Sequence, residues 1–325
     1  MHRREFMAGA LALPMLTNAD RAFASDPLTK IIFPFAAGGG GDVLCRLVAQ
    51  DIAQPLNRTV IVENRTGADG LIGIRTVKTA TPDGTMALVT TGPTMYLLPM
   101  VETHPSFDTE KDFVPVSLLA RFDFGIVAGP AVNADLKQVD FKQLVTWLKG
   151  HPSQAAFGVP SNGTIPHFTG SKLEKLLGIS MTRVAYRGSA PVINDLLGKT
   201  LAFGITTVAD AMGQHRAGGV KIVAVSSAER SPLLPEVPTL KESGVDLVAD
   251  GWYGMWLPAG SPTEFAAKLS AAASTALAKP DVKQKLLATG LIPVGSTPEG
   301  LTKELADDTA FWRPIVQATG YKVEN

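Results

Sequence analysis

Cysteine is almost missing from this chain: Cys45 is the only one in 325 residues. A lone thiol makes no internal disulfide, so nothing covalent staples the fold. A charge imbalance is missing too, with 30 basic and 30 acidic residues and no long run of either sign. That excludes the electrostatic footprint of a nucleic-acid binder or a polybasic membrane patch. Past the N-terminal segment, no run reaches the roughly 18 apolar residues of a membrane-spanning helix. The five histidines, at 2, 104, 151, 167 and 215, show no metal-ligand spacing. A Gly-x-Ser-x-Gly elbow is also absent, because Val159 stands two residues before Ser161 and Arg187 two before Ser189. Catalysis, a metal and a cofactor are therefore not expected, and small-molecule binding is the default.

What is present supports a large folded chain. With 45% hydrophobic and 18% charged residues, the sequence can bury a sizeable core, most simply as two lobes. Residues 1–24 stand apart: "MHRREFMAGALALPML" has a basic start and a short apolar centre, and "AFA" ends on a small-x-small cleavage pattern at Ala24. The Arg3–Arg4 pair resembles a twin-arginine export signal. Export with cleavage after Ala24 is expected. Cys45, on the apolar face of the first helix, reads as a small core residue.

From Thr29 onward, short β-branched or apolar runs alternate with amphipathic segments. Strands are expected at 30–35, 59–64, 86–91, 124–129, 155–159, 182–186, 201–206, 220–226 and 252–260, and helices at 42–56, 70–80, 140–150, 165–177, 190–197 and 208–217. This alternation predicts mainly parallel sheets flanked by helices. After the proline-rich "ERSPLLPEVPTLKESG" (229–244), the chain reads mostly as helices near 262–278, 280–289 and 297–318. Those helices need a sheet to cover. The simplest division has lobe 1 from 25–124 and 227–325, lobe 2 inserted as 125–226, and a ligand cleft between them.

Gly38 to Gly41 lie between the first strand and the first helix, where successive glycines can turn backbone N–H groups toward an anion without any basic side chain. A nucleotide-triphosphate loop is excluded because Asp42, not lysine, follows Gly41. A dinucleotide fingerprint fits Gly39-x-Gly41 but fails at Leu44. An exported enzyme or dinucleotide-binding protein using this loop stays as the alternative. "GVPSNGTIPHF" (158–168) and "YRGSAPVINDLLG" (186–198) also run from strand through glycine and hydroxyl residues into a helix, with Thr164 and Ser189 suited to N-cap positions. Each alone is ordinary capping, but three together point to a shared anion pocket.

"FPFAAGGGGD", "VIVENRTGADGLIG", "ATPDGT", "FDTEKDFVPVSLLA", "VPSNGTIPHF", "VAYRGSAPVINDLLG", "IVAVSSAERSPLLPEVPTLKESG" and "GWYGMWLPAGSP" resemble, in order and over nearly the whole mature chain, the Bug family of extracytoplasmic solute receptors of tripartite tricarboxylate transport. The resemblance implies a two-lobed periplasmic-binding-protein type II fold closing on a small carboxylate. It also implies a periplasmic, monomeric protein with membrane transporter partners. Two loops would hold the carboxylate through backbone groups and ordered waters: Phe35, Ala36, Ala37, Gly38, Gly39 and Asp42 in the first, and Ser161, Asn162, Gly163, Thr164 and His167 in the second.

Phe35 is expected as a pocket wall, Asp42 as a holder of loop donors, and His167 as a loop anchor more than a base for Ser161. Tyr186, Arg187, Gly188 and Ser189 match the family's turn in the second lobe, although lysine is commoner than arginine there; ligand contact and a surface ion pair weigh equally for Arg187. Thr91, at a strand end, joins the candidates. Thr206 and Thr207 stand where amino-acid-binding members can place an aspartate, so a ligand without a free amino group is expected unless Asp210 or Asp250 reaches the cleft.

Overall fold

The computed structural model describes residues 27–323, so the expected export signal lies outside the described residues. The elements in chain order are β1 (Leu28–Phe33), α1 (Gly40–Leu56), β2 (Thr59–Asn64), α2 (Leu71–Lys78), β3 (Met86–Thr91), α3 (Gly92–Val101), α4 (Thr109–Asp112), β4 (Phe113–Ala128), α5 (Phe141–Gly150), β5 (Ala156–Val159), α6 (Ile165–Leu177), β6 (Thr182–Ala185), α7 (Ser189–Leu197), β7 (Phe203–Thr207), α8 (Val208–Ala217), β8 (Lys221–Val225), β9 (Asp250–Pro258), α9 (Thr263–Ala278), α10 (Pro280–Ala288), β10 (Ile292–Pro293) and α11 (Pro298–Thr319). Local chemistry explains many boundaries. Helix α1 buries Leu44, Cys45, Val48, Ala49 and Ile52 on one stripe and stops where Asn57 adopts a left-handed conformation. Helix α5 opens with a capping box between Asp140 and Gln143, and α6 ends at Gly178 with φ +63°.

The strands run in the order β2-β1-β3-β9-β4-β7-β5-β6, with β10 and β8 also pairing with β4. β1 is parallel to β2 and β3, and β5 is parallel to β6 and β7, as the alternating pattern predicts. The middle differs from that expectation: β9 is antiparallel to both β3 and β4, and β4 is antiparallel to β7 and β8. The reason is topological, because β4 leaves one half of the sheet and β9 brings the chain back.

The 16-residue strand β4 passes through both halves without a loop: Phe113–Asp123 pairs with β9, and Phe124–Ala128 pairs with β7 and β8. Its first part is not legible in the sequence, since Pro115 sits at a register shift and both faces are apolar. Helix α3 escapes sequence reading for a related reason, having Pro93 at its start, Pro99 inside and almost no polar face.

Segment 227–249 lies beside β8: Val225 N–H donates to Pro238 O at 2.9 Å, and Leu240 N–H donates to Val225 O at 2.8 Å. Leu234 and Val237 pack with Val192 and Ile222. Ser226 then ties the two crossings together, donating its N–H to Phe124 O and accepting the Ala249 N–H at its carbonyl. The C-terminal helices cover the N-terminal half, with α9 on α1 and β4 and α11 on β4 and α3.

Candidate ligand-binding cleft

A cleft of about 760 Å³ opens between the two halves of the sheet. Phe122 and Phe124, on either side of the point where β4 changes partners, form its floor; their rings meet edge to face at 5.5 Å, and Phe122 lies tilted against Tyr253 at 5.3 Å. Strand-to-helix connections line the two sides, with Leu71, Leu97, Leu98 and Val101 adding apolar wall. Among the described residues no lysine, arginine or histidine lines the cleft, and its only carboxylate is Glu102. That carboxylate already accepts the Ser106 N–H at 2.7 Å and the Ser106 hydroxyl at 3.3 Å. An anion here would meet backbone N–H groups and hydroxyls.

In the first loop, Phe35 and Ala36 line the cleft, and Phe35 lies edge-on to Phe33 at 5.3 Å. Ala37, Gly38, Gly39 and Asp42 are not brought to it. Helix α1 starts at Gly40, with Gly39 as N-cap, two residues before the expected start at Asp42. The glycines have separate reasons. Gly38 has φ +92°, a conformation that L side chains rarely adopt. At Gly41 a Cβ would fall 2.5 Å from the Phe33 ring and 2.8 Å from that of Tyr253.

Asp42, 4% exposed, gathers the loop: its carboxylate accepts Gly38 N–H at 3.1 Å, Arg46 Nε at 2.9 Å and Asn64 Nδ2 at 3.0 Å. Burial opposes the charge, but hydrogen bonds from Arg46, Asn64 and Gly38 outweigh it and hold the pKa below the ordinary aspartate value.

The second loop delivers Ser161, Asn162, Gly163 and Thr164 to the cleft. Gly163 has φ +69° and donates its N–H to His167 Nδ1 at 3.0 Å. His167 is fully buried, does not line the cleft, and has Arg183 against its Nε2. Burial first, and the Arg183 charge second, push its pKa down to about 4, so the ring is neutral near pH 7. Thr164 is the N-cap of α6 as expected, but its hydroxyl donates to Ser161 O at 3.0 Å and caps no helix N–H.

The third turn contributes only Ser189 to the lining. The Tyr186 hydroxyl donates to Asp195 Oδ2 at 2.6 Å, and burial with that carboxylate pushes its pKa up to about 12. The N-cap of α7 is Gly188, at φ +106°, and Ser189 is the first helical residue. Gly188 N–H is committed to Pro160 O at 2.8 Å, and Arg187 points to solvent. Thr91 and Thr207 line the cleft while capping α3 and α8. Thr206 is fully buried, with its hydroxyl on Thr207 O at 3.2 Å. Asp210 is not among the lining residues, and Asp250 is paired with Arg121 at 2.8 Å.

Sequence reading missed Tyr321, Glu102, the α3 wall and the floor rings Phe122 and Phe124. Only the Phe-x-Phe pair carried a signal, legible once β4 is read as one strand.

The family model for the tripartite tricarboxylate transporter family receptor, TctC, matches residues 44–321. A UPF0065 protein in the tcbD-tcbE intergenic region of Pseudomonas sp. (strain P51) is 31% identical, over 97% of this chain and 94% of that protein. The periplasmic binding protein BugD superposes with a TM-score of 0.74 at 29% identity, covering 91% of this chain and 98% of that one. MatC from Rhodopseudomonas palustris, with bound malate, gives a TM-score of 0.73 at 26% identity over 89% and 98% of the two chains. The two-lobed α/β fold, the cleft at the sheet crossing and these matches agree: the chain belongs to the tripartite tricarboxylate transporter receptor family.

Proposed function

We propose that this chain is a periplasmic solute receptor that captures a small carboxylate between its lobes and delivers it to membrane components of a tripartite transporter. The observation that carries the reading is a cleft bounded by strand-to-helix loops and, among the described residues, free of cationic side chains. Such a site holds an anion by oriented backbone and hydroxyl donors. The malate bound to MatC is a ligand of that chemistry. We place the lobe boundaries where the strand pairing changes, at Asp123/Phe124 and Ala249/Asp250, with closure by rotation about those crossings.

The ligand carries no free ammonium. Thr207 supplies only a hydroxyl, Asp250 is neutralised by Arg121, and Glu102 is 3% exposed with both carboxylate oxygens turned to the Ser106 N–H and hydroxyl. Burying an ammonium without a counter-charge costs several kcal/mol. No reaction is assigned, since the His167 nitrogen that would serve Ser161 as a base accepts the Gly163 N–H. A dinucleotide at the glycine loop is disfavoured because the Phe33 and Tyr253 rings fill the space over Gly41.

Thermal shift and calorimetry with malate, succinate, adipate and aspartate test the reading. A carboxylate that binds only the folded protein raises apparent stability in proportion to ln(1 + [L]/Kd). Binding of aspartate with none of the unaminated acids would overturn the ligand class, and no response to any would overturn the receptor reading.

A further inference from the structure

The chain beyond α11 bridges the two sides of the cleft. Gly320, at φ +65°, ends the helix. Val323 then pairs with the chain after α3: its N–H donates to Val101 O at 2.8 Å and its carbonyl accepts the Thr103 N–H at 3.1 Å. Lys322 Nζ adds a bond to Met100 O at 2.8 Å. These contacts fix the tail to the β3–α3 side.

Tyr321 faces the other way. Its ring meets His167 edge to face, with centroids 5.1 Å apart and an interplanar angle of 88°, and lies 6.3 Å from Phe168. A Cβ on Gly163 would come within 3.0 Å of the same ring. Tyr321 and Val323 both line the cleft. One aromatic side chain, anchored from lobe 1, therefore presses on the imidazole that holds the Gly163 amide and on the backbone of the loop itself. The turn needs such support at Gly163, whose left-handed backbone at φ +69° has no side chain of its own to pack.

We propose that Tyr321 is a positioning residue for the ligand, and that segment 319–323 is a strap which sets the second binding loop from the opposite lobe. The proposal rests on the cleft being the ligand site. The ring provides the brace by contact area and geometry. Phenylalanine should therefore serve nearly as well, and alanine should not.

Hydrogen exchange on the ligand-free protein reads the brace without any ligand. Tyr321→Ala should speed exchange of the 161–168 amides about tenfold while leaving those of α9 unchanged, and Tyr321→Phe should match the parent. Val323→Pro, which removes the N–H reaching Val101, should loosen the same amides with Tyr321 intact. In calorimetry with malate, or with the tightest acid of the panel, Tyr321→Ala should bind about tenfold more weakly and Tyr321→Phe within about twofold of the parent. Unchanged exchange at 161–168 in Tyr321→Ala overturns the strap, as does a Tyr321→Phe variant as impaired as the alanine. If the parent binds no acid of the panel yet Tyr321→Ala still loosens the loop, the strap stands and the carboxylate reading falls.

Discussion

The two loops that look alike in sequence are built in opposite ways. Each runs from a parallel strand through glycine into a helix, yet none of Gly38 to Gly41 in the first lines the cleft while the second presents Ser161 to Thr164 to it. The first is closed internally by a buried charge, Asp42, which draws in Gly38, Arg46 and Asn64. The second is closed by a buried neutral ring, His167, and by an aromatic from the far end of the chain. A glycine-rich turn thus reports a tight backbone without saying whether a ligand or a packed side chain demands it.

The sharpest break in the comparison is at Gly41. Gly41→Val puts a branched side chain where a Cβ already falls 2.5 Å from Phe33, and should cost about 3 kcal/mol in chemical denaturation. Gly39→Val meets nothing within 4 Å, has an ordinary φ and lies outside the cleft lining, so its denaturation midpoint should stay near that of the parent. Equal denaturation midpoints for the two variants would refute the packing reason assigned to Gly41.

Asp42→Ala comes next. It strands the Gly38 N–H and the Asn64 amide, and a loss of about 2 kcal/mol is expected. His167→Gln should cost less at pH 7, because the ring is neutral there, and its effect should depend on pH.

The sign follows from proton counts. With a folded pKa of about 4 against 6.5 unfolded, the native state binds fewer protons than the unfolded one between those values. His167 therefore supports stability above pH 6.5, and that support is lost as pH falls toward 4. Asp308 has the reverse sign. Burial first, and then nearby Asp250 and Glu304, raise its pKa from 3.8 to about 7 despite the Trp252 Nε1–H bond at 2.8 Å. Its contribution is complete below pH 3.8 and is lost as pH rises through 7. Melting curves across pH 4 to 8 should show the first dependence vanish in His167→Gln and the second in Asp308→Asn.

The smallest effect is expected at Arg187, exposed and outside the cleft lining. Arg187→Ala should change stability by under about 0.5 kcal/mol and leave acid binding unaltered. A tenfold loss of affinity would place Arg187 in the site beside Ser189.

Legibility in the sequence tracked how local the cause is. Helices α6 and α8 and strands β2 and β3 have the expected limits because proline, glycine, threonine caps and β-branched runs act within a few residues. The antiparallel crossing, the first part of β4 and the all-apolar α3 were hidden, since burial on every face erases periodicity. Around the cleft, the turn at 161–164 was legible from turn chemistry, whereas Thr207 was named from the family resemblance alone. Tyr321 was not legible, because its meaning lies in a contact with His167, and one sequence gives no clue to which distant residues meet.

Cys45 is fully buried, and burial, with the Asp42 charge adding to it, holds its thiol well above the usual range. A thiol in that state is inert to maleimide dyes under native conditions. The protein thus offers a silent chemical background in which a single cysteine introduced at a lobe edge would carry the only fluorophore. Movement of the lobes around a captured acid could then be followed optically in real time, without removing any native residue.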